Sequence, residues 1–381
     1  MKKLIVIIVA LYTTLNINSN IAMAVSKPGA PSINSEAAIV LEANTGKILY
    51  EKNAETRMYP ASLTKIATAI YAIENGDLND TVTVSEKAYE TGGSSVFLEE
   101  GDEATLRQLV EGLLLNSGND AGVAIAEHLS GNVEQFSKDL NVYLEEKAGA
   151  EQTDFKNPHG LFDSEHKTTA KDLAKITQYA QENETFKEIY GLEVLDWDGE
   201  KWDATLYTHH RLMREDPYEG VTGGKTGYVP QSGFTLATSA SRENMDLIVI
   251  TMKSRTKDLS YEDTKKLLDY GFEHYQTSVL KPKKEFQDIK DDFQLSEEIP
   301  YTHLKGEAVN IEVNDNGRLT VTKPDGTEIY TGQFEKVKEK NLPPPVKEQK
   351  IEAPNWQDYW PLFIFPRHFW VTEIFEELQG S

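Results

Sequence analysis

The 381-residue chain contains no cysteine, which excludes disulfides, thiolate metal sites and thiol nucleophiles. Basic charge is scarce: 39 Lys and Arg stand against 62 Asp and Glu, a formal net charge of -23. So acidic a chain does not suit nucleic acid, whose recognition needs a basic face. The N-terminal apolar run, Leu4 to Leu11, is too short to span a membrane comfortably. Neither the H-E-x-x-H pattern of zinc peptidases nor the G-x-S-x-G elbow of α/β-hydrolases occurs.

The chain does have 39% hydrophobic residues and a length that suits two domains with tails. Met1-Lys2-Lys3, the Leu4–Leu11 run and Ala22-Met23-Ala24 together make the charged, apolar and cleavage regions of an export signal. Residues 1–24 are therefore set aside as a signal peptide, and the mature chain is expected to start at Val25, outside the cytoplasmic membrane.

Chemistry first shows at Pro60-Ala61-Ser62-Leu63-Thr64-Lys65. Leu63, Ile66, Ala67, Ile70 and Ile73 repeat at helical spacing and Asn75-Gly76 stops them, so Ser62 and Lys65 open a buried helix. Positions i and i+3 are neighbours on a helix, which puts the lysine amine within reach of the serine hydroxyl. A partly desolvated lysine is a competent base for an otherwise poor nucleophile. The same spacing recurs at Ser164/Lys167, Ser254/Lys257 and Ser278/Lys281, which lack the apolar helix and read as solvated surface.

Two more motifs follow in order. Thr105 and Gln108 form a capping box ahead of an apolar helix, which breaks at Asn116-Ser117-Gly118-Asn119 before a second one begins at Ala121. A polar loop wedged between buried helices must satisfy its groups somewhere, and a cleft is one such place. Its copy at Ser130-Gly131-Asn132 reads as a helix C-cap. Lys225-Thr226-Gly227 is unique in the chain and leads into strands, Gly233 to Ala240 and Asp246 to Lys253; its side chains offer donors for a carboxylate. A hairpin around Ala43-Asn44-Thr45-Gly46 precedes the first helix, and a helix near Leu259 to Tyr275 closes this region.

Beyond Lys281, alternating strands at Val309–Val313, Leu319–Lys323 and Glu328–Gln333 are separated by Asn-Gly and Pro-Asp-Gly turns. Pro343-Pro344-Pro345 marks an extended linker. The last stretch is aromatic, with Trp356, Trp360 and Trp370 among interrupting prolines, a composition suited to the membrane interface. The expected divisions are residues 35–278 catalytic, 281–337 a small β domain, 338–353 linker and 354–381 a membrane-associating tail.

Ser-x-x-Lys, Ser-x-Asn and Lys-Thr-Gly in this order resemble the penicillin-binding protein and serine β-lactamase superfamily. The blocks Thr153-Asp154-Phe155-Lys156-Asn157-Pro158-His159-Gly160-Leu161 and His166-Lys167-Thr168-Thr169-Ala170-Lys171-Asp172 narrow it. They are similar to the low-molecular-mass D-alanyl-D-alanine carboxypeptidases, peptidase family S11. The resemblance implies an α/β fold of the α+β kind. That is a transpeptidase-like domain with an antiparallel sheet flanked by helices, then a small all-β domain and the aromatic tail. It also implies that Ser62 attacks the peptide bond of a peptidoglycan stem peptide ending in D-Ala-D-Ala, with Lys65 as base and Ser117 relaying a proton. Asn119 fixes Lys65 or substrate, Lys225 and Thr226 hold the terminal carboxylate with a fixed positive charge and a hydroxyl, and backbone N–H groups of Ser62 and Tyr228, beside Gly227, take the oxyanion. β-Lactam antibiotics and the outer face of the membrane are the other partners implied; no cofactor or metal is.

A class A β-lactamase carries in addition a Glu-x-x-Leu-Asn segment, and here Ser137 stands where that Glu belongs before Leu140-Asn141. An endopeptidase or transpeptidase acting on cross-links has the same motifs, and a catalytically silent wall-binding scaffold keeps the fold alone. A zinc site around His159, Asp163 and His166 lacks its motif, so these histidines read as polar loop or cap residues.

Overall fold

The computed structural model describes residues 28–199, 201, 203–281, 293–294 and 297–336. The signal peptide, linker and tail inferred above lie outside the described residues. In chain order the first elements are β1 (Ala37–Glu42), β2 (Lys47–Lys52), α1 (Thr64–Asn75), β3 (Thr81–Thr83), α2 (Glu86–Tyr89), β4 (Glu103–Thr105), α3 (Leu106–Leu115), α4 (Asn119–Ser130), α5 (Val133–Ala148), α6 (Ala170–Ala180) and α7 (Glu184–Tyr190). Then come β5 (Val194–Asp198), β6 (Asp203–Tyr207), β7 (Val221–Val229), β8 (Gly233–Arg242), β9 (Met245–Ser254) and α8 (Lys257–His274). The last are β10 (Tyr275–Leu280), β11 (Phe293–Gln294), β12 (Ile299–Leu304), β13 (Asn310–Val313), β14 (Arg318–Thr322), β15 (Glu328–Gln333) and β16 (Glu335–Lys336).

The main sheet is antiparallel, with order β2-β1-β9-β8-β7. Successive side chains of a strand point to opposite faces, and here both faces are covered. Ala37, Ile39 and Leu41 of β1 with Ile248, Ile250 and Met252 of β9 enter the core shared with α1 and α3 to α6. Ala38 and Val40 with Leu247 and Val249 face Leu267, Leu268 and Phe272 of α8. That two-sided burial explains why these strands are apolar throughout and not alternating. Truncating Ile250, which is fully buried, to alanine costs about 2–5 kcal/mol.

Helix α1 runs through the helical layer with Lys65 buried beside Ile66, Ala67 and Ile70. The Thr105–Gln108 capping box opens α3, and Gly131, at φ 78°, ends α4 in a left-handed cap. The hairpin β5–β6, not anticipated, drops Trp197 and Leu206 into the helical core. Gly112 makes room for it, since a Cβ there would sit 2.8 Å from the indole of Trp197.

The C-terminal strands β13, β14 and β15 form their own sheet over a separate small core of Leu280, Tyr301, Leu319, Val321 and Phe334. Strand β10 continues from α8 and pairs with β12. Thr302 of β12 hydrogen-bonds Thr45 and also reaches the buried carboxylate of Glu42 on β1.

Candidate active site

Ser62 lies in a one-turn 3-10 segment, Ala61–Leu63, immediately before α1, and not in the α-helix itself. Ala61 is held at φ 49°, a left-handed conformation that a non-glycine residue adopts only under constraint. The helix then begins at Thr64, so the next turn brings Lys65 Nζ to 3.0 Å from Ser62 Oγ. Lys65 is 0% exposed, and its other two contacts are the Asn119 Oδ1 and the His159 carbonyl, each at 2.7 Å. Burial, and then the positive charge of Lys225, pull its pKa well below the usual lysine range; Asp120 opposes them.

Ser117 sits in the break between α3 and α4 at φ 62° and is buried. Asn119 is the first residue of α4, two positions earlier than its apolar pattern indicates. Its Nδ2 donates to the Gly92 carbonyl at 2.7 Å, so its oxygen is turned toward Lys65. Gly93, at φ 89°, permits that approach, because a Cβ there would meet Asn119 Nδ2 at 2.6 Å. The buried Asp120 accepts from the Val96 and Leu98 amides and the Ser95 hydroxyl, and so pins the same loop over α4.

Strand β7, an edge of the main sheet, carries the third motif. Gly227 pairs with Thr235 of β8, and a side chain on it would meet Thr235 Oγ1 at 2.4 Å and the Ser62 amide at 2.8 Å. The glycine is thus what lets β7 close on the Ser62 turn. Lys225 is 2% exposed, and burial draws its pKa down to about 7. Burial alone therefore disfavours its charged form.

Ser62, Ser117, Thr226, Gly227 and Tyr228 line one cavity of about 310 Å³, whereas the buried Lys65, Asn119 and Lys225 are not among its lining residues. Its rim adds Ser94, His209, Lys257, Ser260 and Tyr261, for which the sequence gives no motif. A larger cavity of about 790 Å³, beside Arg242, Phe272 and Tyr301, contains none of the motif residues. His159 and His166 lie in the loop segment between α5 and α6, as expected from the sequence, and both are buried. His159 supplies the carbonyl under Lys65, and His166 Nε2 lies 2.8 Å from Thr64 Oγ1. Ser137 points back along α5 and donates to the Val133 carbonyl at 2.9 Å, so no carboxylate stands at that position.

The arrangement of helices against an antiparallel sheet, with a serine and a buried lysine at its edge, is the fold of the penicillin-binding proteins. The structure is similar to penicillin binding protein 5 of Haemophilus influenzae, with a TM-score of 0.70 and 26% identity, covering 81% of this chain and 98% of that one. It is also similar to penicillin binding protein 6B of Escherichia coli, at TM-score 0.69, 27% identity and the same two coverages, 81% and 98%. Residues 22–256 match the family model of the D-alanyl-D-alanine carboxypeptidases, peptidase S11. Among curated relatives, the sequence is 34% identical over 322 residues to D-alanyl-D-alanine carboxypeptidase DacF of Bacillus subtilis, covering 78% of this chain and 80% of that protein. It is 35% identical over 283 residues to DacA of Escherichia coli, covering 68% and 66%. The chain belongs to the D-alanyl-D-alanine carboxypeptidase family, and its activity is that of a serine-type D-Ala-D-Ala carboxypeptidase.

Proposed function

We propose that the enzyme removes the terminal D-alanine from peptidoglycan stem pentapeptides through an acyl-enzyme on Ser62, and that β-lactams acylate the same hydroxyl. One observation carries this reading. The Asn119 Oδ1 and the His159 carbonyl can only accept, so each takes one N–H from Lys65 at 2.7 Å. In the neutral amine, which burial favours, the remaining lone pair faces Ser62 Oγ at 3.0 Å and receives its proton.

Ser62 Oγ then bonds to the carbonyl carbon between the two D-alanines. The oxyanion is held by the backbone N–H groups of Ser62 and Tyr228, across which Gly227 lies close. The C–N bond breaks as Ser117 passes the Lys65 proton to the leaving amine, and D-alanine departs. Water attacks the ester, gives a proton to Lys65, and the Ser62 oxygen recovers it as the tetrapeptide leaves. Lys225 and Thr226 hold the terminal carboxylate; ligand charge favours the protonated Lys225 that burial alone disfavours. Among the described residues no Asp or Glu lines the cavity that Ser62 opens into, which supports a slow-hydrolysing penicillin adduct.

The enzyme is proposed to be exported through residues 1–24 and to work outside the cytoplasmic membrane, with residues 354–381 at the membrane surface. Among the described residues no helix is long and apolar enough to cross a membrane. The direct assay is D-alanine release from an acylated tripeptide ending in D-Ala-D-Ala by residues 25–381. Release by the wild type and none by Ser62→Ala or Lys65→Ala is expected; release by Ser62→Ala refutes the nucleophile assignment.

A further inference from the structure

Ser62 is aimed by a backbone turn whose Ala61 and Ser62 carbonyls accept the Thr64 N–H at the start of α1, and which side-chain hydrogen bonds from Thr64 and Thr235 brace further. We propose that His166, acting through Thr64, is a positioning residue that holds the left-handed Ala61 turn and so orients the Ser62 hydroxyl and amide; the proposal rests on Ser62 being the nucleophile.

The hydrogen bonds run in one direction. The Lys156 amide donates to His166 Nδ1 at 2.9 Å, so that nitrogen is an acceptor. In the neutral ring the proton then sits on Nε2, and it is donated to Thr64 Oγ1 at 2.8 Å. Thr64 in turn gives its hydroxyl proton to the Ala61 carbonyl at 2.8 Å. The relay ends on the carbonyl of the residue held at φ 49°, which also accepts the Thr64 backbone N–H.

The surroundings keep the relay in this state. His166 is 2% exposed and stacks on Phe155 with centroids 4.8 Å apart and planes at 17°. Burial takes its pKa to about 4, so the ring is neutral at working pH. The backbone of Gly160 presses on the Ala61 carbonyl so closely that a Cβ there would lie 1.9 Å from the oxygen. From the sheet side, Thr235 Oγ1 donates to the Pro60 carbonyl at 2.9 Å. Neither Thr64 nor His166 lines the cavity that Ser62 opens into. Their effect on the reaction therefore passes through the turn.

The test uses the mature chain, residues 25–381. Thr64→Val keeps the shape and deletes both hydroxyl bonds, Thr64→Ser restores the hydroxyl, and His166→Asn keeps an acceptor near Nδ1 but removes the Nε2 donor. Acylation of Ser62 by a penicillin is followed with thermal midpoints measured in parallel. Thr64→Val and His166→Asn are expected to acylate about 10- to 100-fold more slowly than the wild type, the scale of a small misplacement of reacting groups. Their non-covalent affinity for the antibiotic is expected to be unchanged, and Thr64→Ser to recover most of the rate. Independently of any variant, two-bond proton–nitrogen NMR of the wild type is expected to find His166 protonated at Nε2 and bare at Nδ1. Protonation at Nδ1, or folded Thr64→Val and His166→Asn proteins that acylate at the wild-type rate, overturns the proposal. A wild type that is not labelled at Ser62 overturns the nucleophile assignment as well, which separates the two failures.

Discussion

Lys65 Nζ lies 2.7 Å from the side-chain oxygen of Asn119, a residue 54 positions away on another helix. Because Asn119 spends its amide on the Gly92 carbonyl, its oxygen has no rotamer freedom to leave the lysine. Asn119→Ala removes an acceptor from a buried amine and frees that amine to turn from Ser62. Losing a hydrogen bond to a charged or strongly polar buried group costs about 1.5–3 kcal/mol, so acylation by penicillin is expected to slow by about 10- to 100-fold. Stopped-flow acylation rates check this, and an unchanged rate excludes Asn119 as the anchor of Lys65.

Lys225 provides a pH signature. In the free enzyme its pKa is about 7, and the charged form is the one that meets a carboxylate. As pH rises past 7 the positive charge is lost, and KM for a D-Ala-D-Ala peptide is expected to rise by up to about tenfold per pH unit. Steady-state KM from pH 6 to 9 measures it; a flat profile contradicts the carboxylate role.

The same lysine is a stability cost. Its pKa falls from 10.5 in the unfolded chain to about 7 in the fold, so between those values the unfolded state binds more protons. The destabilisation is complete below pH 7, on the order of 5 kcal/mol, and fades as pH rises toward 10. Lys225→Met is therefore expected to be inactive yet to melt higher than the wild type at pH 6, with the gap closing by pH 10. A variant that melts lower at both pH values rejects the desolvation argument.

Two glycines with positive φ separate strain from contact. Gly131 has φ 78° and open space at its Cβ, whereas Gly160 has φ 85° and the Ala61 carbonyl in the way. Gly131→Ala is expected to lose about 1–2 kcal/mol and keep its acylation rate. Gly160→Ala is expected to lose acylation well beyond any loss of stability. Denaturant midpoints and penicillin labelling of both variants distinguish them, and equal labelling removes Gly160 from the support of the Ser62 turn.

The proposed membrane tail has a separate test. Flotation of residues 25–381 with anionic vesicles, beside a form ending at residue 353, is expected to carry only the longer protein upward. Equal partitioning of the two forms refutes the tail assignment.

Much of the site was legible because its groups sit at short, regular spacings. Ser62 and Lys65 are three apart, Ser117 and Asn119 interrupt an apolar pattern, and Lys225-Thr226-Gly227 is contiguous. What stayed hidden is carried by backbone or by distance. The His159 carbonyl beneath Lys65 is a main-chain atom 94 residues away, which no side-chain pattern can announce. The burial of His166 follows from Phe155 stacking on it, a tertiary fact. The pairing of β1 with β9 was likewise invisible: two apolar runs fix that strands exist, not which run lies next to which. The β5–β6 hairpin did leave a trace, since Leu195 and Trp197 alternate with acidic residues, but the acidic context masks it.

The most direct measurement is intact-protein mass against time after mixing residues 25–381 with a penicillin, with Ser62→Ala alongside. A persistent one-to-one adduct on the wild type, mapped to Ser62 and missing from the variant, is expected from a Lys65-activated nucleophile with no deacylating glutamate. An adduct that forms on Ser62→Ala, or one on the wild type that vanishes rapidly as antibiotic is consumed, contradicts it.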